Sequence, residues 1–294
     1  MSFRCPVCSQ ELKKEEKIWV CPQGHTFDIA AKGYVNLLMS NSSGAKRHGD
    51  DRLMINARRD FLSKGFYEPL REAVYDALSA DFPRDGTLLD AGCGECWYTS
   101  YFKSRLDESG LEPQVLGVDI SKYALEKAPK NCGVERAVAS IYKLPVGGGE
   151  CDALVNIFAP ACPQEFSRVL KKDGVFVKAI PLEKHLWELK NAVYDAPYEN
   201  EVPPHDIEGF RLVGEKKICY TFALESGKDI TDLFNMTPYC YKTSQQDREK
   251  LIKRYNAAQH MISLGFNFSN RGIFLLFLAF VIVKIAFSSY TNYV

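Results

Sequence analysis

From Thr87 onward, short apolar runs alternate with amphipathic stretches. Thr87–Asp90, Gln114–Asp119, Glu135–Ala139, Cys151–Ile157 and Val175–Ile180 are runs bounded by turn residues, and each reads as a buried strand. Between them Tyr98–Leu106, Ser121–Ala128 and Cys162–Leu170 carry helical patterns, the last stopped by Lys172-Asp173-Gly174. Such alternation predicts an α/β fold, a doubly wound parallel sheet covered on both faces. Upstream, helices are predicted over Leu53–Ser63 and Tyr67–Ala80, the second placing Leu70, Val74, Tyr75 and Leu78 on one face. Lys216–Leu224 reads as a later strand. The last apolar run, Gly272–Phe287, is interrupted by Lys284 and is shorter than the roughly 20 residues a membrane span needs. It is therefore read as a buried terminal strand or helix in preference to a membrane anchor.

The front of the chain follows another logic. Residues 1–39 are rich in cysteine, with strand-like pieces such as Lys17–Val20, and are too few to build a core without a staple. Cys5-Pro6-Val7-Cys8 and Cys21-Pro22-Gln23-Gly24-His25 supply one: two tight half-sites whose three thiolates and one imidazole suit a tetrahedral zinc ion. Four protein ligands leave no position for a reactive water, so the predicted zinc is structural. Residues 40–66 form a polar, breaker-rich linker and a helix, and residues 67–294 the main domain, with 272–294 as an atypical apolar tail. No signal peptide is apparent at Met1-Ser2-Phe3-Arg4, which favours a reducing compartment and metal binding over disulfides for the ten cysteines.

Lysine plus arginine and aspartate plus glutamate both number 37, so no global field points to a polyanionic partner. Local attraction to phosphate would have to come from the linker region, where Lys46, Arg47, Arg52, Arg58 and Arg59 gather. Trp19, Phe27 and Tyr34 either stack on unpaired bases or pack around the zinc site.

The chemistry centres on Leu88-Leu89-Asp90-Ala91-Gly92-Cys93-Gly94-Glu95-Cys96, which leaves a strand and enters a helix. Glycines there let the backbone turn sharply beside a ligand, and Asp119, ending the next strand, is placed to grip ribose hydroxyls. A dinucleotide fingerprint would need a small residue where Trp97 stands, and no Gly-Lys-Ser/Thr follows for a P-loop. The acid two residues before the first glycine, Asp90, leaves S-adenosylmethionine as the cofactor predicted, on Asp90, Gly92, Gly94 and Asp119. Cys93 and Cys96 also spell C-x-x-C, read here as incidental to the glycine loop. After the fourth strand, Asn156 and Phe158 in Asn156-Ile157-Phe158-Ala159-Pro160 either hold a flat base or simply turn the chain; His185 follows the fifth strand.

Taken in order, these residues resemble the bacterial 23S rRNA (guanine-N1)-methyltransferase family. The resemblance runs from Cys5 to about Pro238. It includes the two zinc half-sites, Phe27 to Leu38, Gly49-Asp50, Ala57-Arg58-Arg59-x-Phe61-Leu62, Gly92-Cys93-Gly94-Glu95, Leu116 to Lys122, Phe158-Ala159-Pro160, His185-Leu186-x-Glu188-Leu189-Lys190 and Met236-Thr237-Pro238. It implies a class I methyltransferase-like sheet with a small N-terminal zinc-binding module. It further implies methyl transfer to N1 of a guanine in a 23S rRNA hairpin, one structural Zn2+, and cofactor contacts at Tyr67, Glu95, Cys96 and His185. Glu95, Asn156 and Phe158 are the catalytic candidates, with the catalytic base unassigned. A cytoplasmic location, no membrane attachment and a homodimer are the attendant expectations. The chain departs from the family at Cys96-Trp97, where the family has Gly-Tyr, so residue 96 must adopt unusual backbone angles or crowd the cofactor. Its tail is also unlike the family's amphipathic closing strand. The alternatives are a methyltransferase for a small molecule, and an RNA-binding protein with an impaired cofactor site.

Overall fold

A computed structural model describes residues 2–39, 49–224, 226–251 and 253, together with the backbone of 273–285. At the front, β1 (Lys13–Lys14), β2 (Ile18–Val20) and β3 (Thr26–Asp28) form an antiparallel ribbon in the order β1-β2-β3. The next strand, β4 (Tyr34–Asn36), leaves that ribbon and pairs in parallel with β7 (Glu135–Val138). The predicted strands follow as β5 (Thr87–Ala91), β6 (Gln114–Asp119), β8 (Cys151–Ile157) and β9 (Leu170–Pro181). Two long strands, β10 (Phe210–Ala223) and β11 (Ile273–Ile285), complete a sheet in the order β10-β11-β9-β8-β5-β6-β7-β4. All neighbouring pairs from β9 to β4 run parallel, and β11 is antiparallel to both β9 and β10. This is the class I methyltransferase arrangement with one strand of the zinc module added at its edge.

Within the apolar tail, Ile273–Ile285 thus take the strand of the two alternatives, seated inside the sheet between β9 and β10. No helix among the described residues is long and apolar enough to cross a membrane. Strand β9 starts five residues before the predicted Val175, because Leu170 already pairs with Cys151; the register then shifts across Lys171–Gly174, and Val175 resumes the ladder opposite Ala153. Among the described residues, helices not predicted from the sequence include α6 (Trp187–Val193), α7 (Gly227–Asn235) and α8 (Tyr239–Lys242).

Side chains alternate across the central strands and feed two cores. Leu88, Val115, Ala153, Val155 and Val177 enter one, under α1 (Arg52–Leu62), α2 (Glu68–Ser79), α3 (Trp97–Glu108) and α4 (Lys122–Lys127). Leu89, Ala91, Leu116, Val118, Leu154 and Phe176 enter the other, and only α5 (Pro163–Val169) among the described helices contributes to it. The zinc module supplies much of the rest of that second core: Phe3, Leu12, Trp19, Val35 and Leu37 pack in the same cluster, beside Ile141, Leu144 and Val146 from the segment after β7 and Phe210 of β10. Trp19 and Tyr34 are each 4 % exposed, with Trp19 edge-on to Phe3 and Tyr34 donating to Glu126. Both rings are packed: Trp19 sits in the same cluster as Cys5 and Cys21, as expected, whereas Tyr34 is buried in the first core and not around the zinc site.

Candidate functional site

The zinc half-sites converge. The ligand atoms of Cys5, Cys8, Cys21 and His25 all lie within 4.8 Å of one another. Cys8 Sγ is 3.6 Å from Cys21 Sγ, and His25 Nδ1 is 3.3 Å from Cys21 Sγ and 3.7 Å from Cys5 Sγ. A tetrahedral zinc with Zn–S bonds of about 2.3 Å has sulfur–sulfur edges of about 3.8 Å, so the cage has the right size and the right donors. Burial pushes the Cys21 thiol up, but hydrogen bonds from the His25 backbone, the imidazole, Cys8 and Gln23 outweigh it and bring it down to about 6. The group is thus ready to lose its proton to a metal.

The carboxyl ends of β5, β6, β8 and β9 meet around the glycine loop. Gly92 and Cys93 both donate to the Val118 carbonyl, which ties the loop to β6. Asp119 fixes the next turn, accepting from Gly94 N at 2.9 Å and Ser121 N at 2.7 Å. Asp90 accepts from Thr99 at 2.5 Å across the turn, a partner in α3 that the sequence reading did not single out. Gly92 lies against the neighbouring loop: a Cβ there would stand 2.5 Å from Ala159 Cβ, whereas a Cβ on Gly94 would meet nothing within 4 Å. Gly94 therefore borders open space beside a rigid backbone cradle.

Cys96 takes the first of the two outcomes expected for a side chain there. It adopts a left-handed conformation, φ 61°, at the start of α3, and its side chain is fully buried in the first core. The strain is local and the thiol is turned into packing. Cys93 and Cys96 are both free and buried.

Asn156 donates its amide to the carbonyls of Ala91 and Pro160, at 2.7 and 3.0 Å, and so staples β8's end to the glycine loop. Its Oδ1 is buried without a partner, as are Asp90 Oδ1, Glu95 Oε1 and the Tyr98 hydroxyl. Buried polar atoms left unpaired are costly, and a cluster of them beside an open cradle fits a polar ligand that completes them. Phe158, at φ 54° and 42 % exposed, stands in front of two buried rings. Its centroid is 6.2 Å from Tyr67 and 6.3 Å from His185, and Tyr67 Oη lies 3.4 Å from His185 Nε2.

Burial dominates the electrostatics. It raises Asp90 to about 7, with the Thr99 hydrogen bond opposing and Asp119 adding. It raises Asp119 despite its two backbone hydrogen bonds, and Glu95 despite the nearby Arg58. His185 falls to about 3, first by burial and then by the charge of Lys190, so its imidazole is neutral.

The basic residues divide. Arg58 does not lie on the open surface; it pairs with Asp50 at 2.7 Å and sits within the field of Glu95 and Asp119. Arg59 pairs with Asp60, and Arg52 lies over the Tyr123 ring at 5.1 Å. Lys46 and Arg47 fall outside the described residues.

Comparison with known proteins agrees with both halves of this arrangement. Residues 3–44 match the N-terminal zinc ribbon model of RlmA, and residues 89–178 match a methyltransferase domain model. The chain is 30 % identical over 272 residues to YxjB of Bacillus subtilis (strain 168), named for 23S rRNA (guanine-N1)-methyl transfer, covering 87 % of this chain and 92 % of that one. It is 36 % identical over 288 residues to a Micromonospora griseorubida protein named for the same activity, covering 89 % and 93 %. It is 30 % identical over 235 residues to the 23S rRNA (guanine(748)-N1)-methyltransferase of Streptomyces fradiae, covering 76 % and 80 %.

Proposed function

This chain belongs to the 23S rRNA (guanine-N1)-methyltransferase family, and on that premise we propose that it methylates N1 of a guanine in a 23S rRNA hairpin, using S-adenosylmethionine. The observation that carries the reading is the joint presence, in one chain aligned with its relatives over most of its length, of a four-ligand zinc cage and an open cofactor cradle. Such a substrate would place the protein in the cytoplasm.

S-adenosylmethionine, when bound, supplies an electrophilic methyl group. The protein's contribution is to bind, orient and keep the site dry. Asp119 uses one lone pair on each oxygen for Gly94 and Ser121, and retains others for ribose hydroxyls. The open side of Gly94 leaves room for the cofactor, while Asp90 and Asn156 hold the loop through Thr99 and Ala91. Phe158 offers an exposed face to a flat base, backed by Tyr67 and His185. Guanine N1 lies on the pairing edge, so the target base must be unpaired or flipped outward to reach that ring. N1 must also lose a proton. His185, at about 3, is too weak a base to take it. Glu95, raised by burial and with Oε1 unpartnered, is the acceptor we assign.

The test is methyl transfer from labelled S-adenosylmethionine to unmodified 23S rRNA, followed by mapping of the modified base. A single modified guanine that blocks reverse transcription is expected, because N1 methylation removes the pairing edge. Label on small molecules alone would refute the reading in favour of a small-molecule methyltransferase. Tight RNA binding without cofactor binding would make the chain an RNA-binding protein.

A further inference from the structure

Arg58 connects three segments that lie far apart in sequence. From α1, its Nη1 pairs with Asp50 at 2.7 Å and its Nη2 reaches the Met236 carbonyl, just after α7, at 3.4 Å. Its charge acts in turn on Glu95 in the glycine loop and Asp119 at the end of β6. The backbone that carries Asp50 is held close to the sheet. Gly49 sits so close to β6's exit that a Cβ there would be 3.1 Å from both Ile120 Cγ2 and Ser121 Cβ. Asp51 caps α1 by accepting from Met54 N at 2.9 Å. Residues 49–51, where the chain arrives from the zinc module, are therefore pressed across the strand end that carries Asp119.

This placement has a chemical consequence. The guanidinium pairs directly with Asp50, and its charge favours the ionised forms of Glu95 and Asp119 while burial pushes those two carboxyls the other way. A planar fork can face a carboxylate and a carbonyl at once, which a lysine ammonium cannot do with the same geometry. Resting on the reading of the cradle as an S-adenosylmethionine site, we infer that Arg58 is a positioning residue and that the Asp50–Arg58 pair is the latch that closes the chain over the bound cofactor. The latch couples the arrival of the linker to the cofactor loop; it does not contact the reacting atoms.

The experiment is calorimetric titration of the full-length protein with S-adenosylhomocysteine, comparing the parent with Asp50→Asn, Asp50→Glu and Arg58→Lys. Asp50→Asn and Arg58→Lys should each weaken binding about tenfold, equivalent to about 1.4 kcal/mol. Asp50→Glu, which keeps the carboxylate, should recover most of that loss. Melting temperatures should stay close to the parent's, because the pair is partly exposed, with side chains 29 % and 38 % accessible. In steady-state methylation the loss should fall mainly on KM for S-adenosylmethionine, with a smaller fall in kcat. Asp50→Asn binding that stays within twofold of the parent's overturns the latch, even if Arg58→Lys fails to fold. A KM shift for RNA alone, with cofactor binding intact, makes Arg58 a phosphate contact and also overturns it. A parent protein that binds no S-adenosylhomocysteine overturns the cofactor reading itself, a separate and recognisable result.

Discussion

The two glycines of the cofactor loop should respond to the same substitution in opposite ways. Gly92 has φ 103° and would place a Cβ 2.5 Å from Ala159 Cβ. An alanine there combines backbone strain of about 1–3 kcal/mol with overpacking of about 1–3 kcal/mol, the neighbour being a stub that cannot swing away. A more restricted unfolded chain offsets about 0.4–1 kcal/mol. The net is about 3 kcal/mol, or a fall of about 6–12 °C in melting temperature for a domain of this size. Gly94 has φ 55° with nothing near its Cβ position. Gly94→Ala therefore carries left-handed strain of about 1–2 kcal/mol less the same offset, about 2–4 °C. Its new methyl projects into the space assigned to the cofactor, so binding should weaken by at least about tenfold. Differential scanning fluorimetry and calorimetric titration with S-adenosylhomocysteine read the two quantities separately. Gly94→Ala that binds the ligand as the parent does would refute the placement of the cofactor, and Gly92→Ala that melts with the parent would refute the contact with Ala159.

Zinc removal should unfold the front module. Metal analysis should give one zinc per chain, and chelation or Cys21→Ser should shift Trp19 emission to the red as its buried ring meets water; an unchanged spectrum with the metal gone counts against a structural role. The pH dependence of stability should carry two opposite signatures. His185 titrates near 3 folded against 6.5 unfolded, so its contribution is full above pH 6.5 and is lost as pH falls towards 3; His185→Asn should flatten that acid limb. Asp90 titrates near 7 folded against 3.8 unfolded, so its contribution is full below pH 3.8 and is lost as pH rises through 7; Asp90→Asn should flatten the neutral limb. Melting curves between pH 3 and 8 decide both, and variants that keep the parent's slope contradict the assignment.

The central strands were legible in the sequence because a strand buried on both faces must be apolar throughout, as Leu88-Leu89 and Ala153-Leu154-Val155 are. The zinc ligands were legible because coordination fixes both residue type and spacing. Other elements lacked such a local signature. Strand β10 was legible only from Lys216; its first six residues, Phe-Arg-Leu-Val-Gly-Glu, are mostly exposed at the sheet's edge and read as a loop until the apolar tail is seen to pair with them. Three residues, Tyr34-Val35-Asn36, carry no pattern that says they will join β7 and not the ribbon beside them. Arg58 and Arg59 look alike in a charged run, yet helical spacing turns one over the cofactor loop and leaves the other in solvent. The open side of Gly94 was likewise invisible, since absence of neighbours is a property of the fold alone.

The packing also changes what the zinc module is for. In the second core, α5 is the one described helix beneath the sheet, and Phe3, Leu12 and Trp19 of the module share the remaining cover with Ile141, Leu144, Val146 and Phe210. Those side chains share a cluster with Leu89, Ala91, Leu116 and Val118, on the same two strands whose neighbouring residues Asp90 and Asp119 hold the cofactor loop. Strand β4 and the Arg4–Glu150 ion pair attach the module to the sheet at two further points. A module joined only by a linker could unfold without consequence for the cradle. One that supplies part of the core cannot, because its loss would expose apolar side chains directly behind the residues that position the cofactor. The zinc ion thus supports both ends of the proposed reaction: it shapes the front of the chain, and through the second core it steadies the strand ends on which methyl transfer would take place.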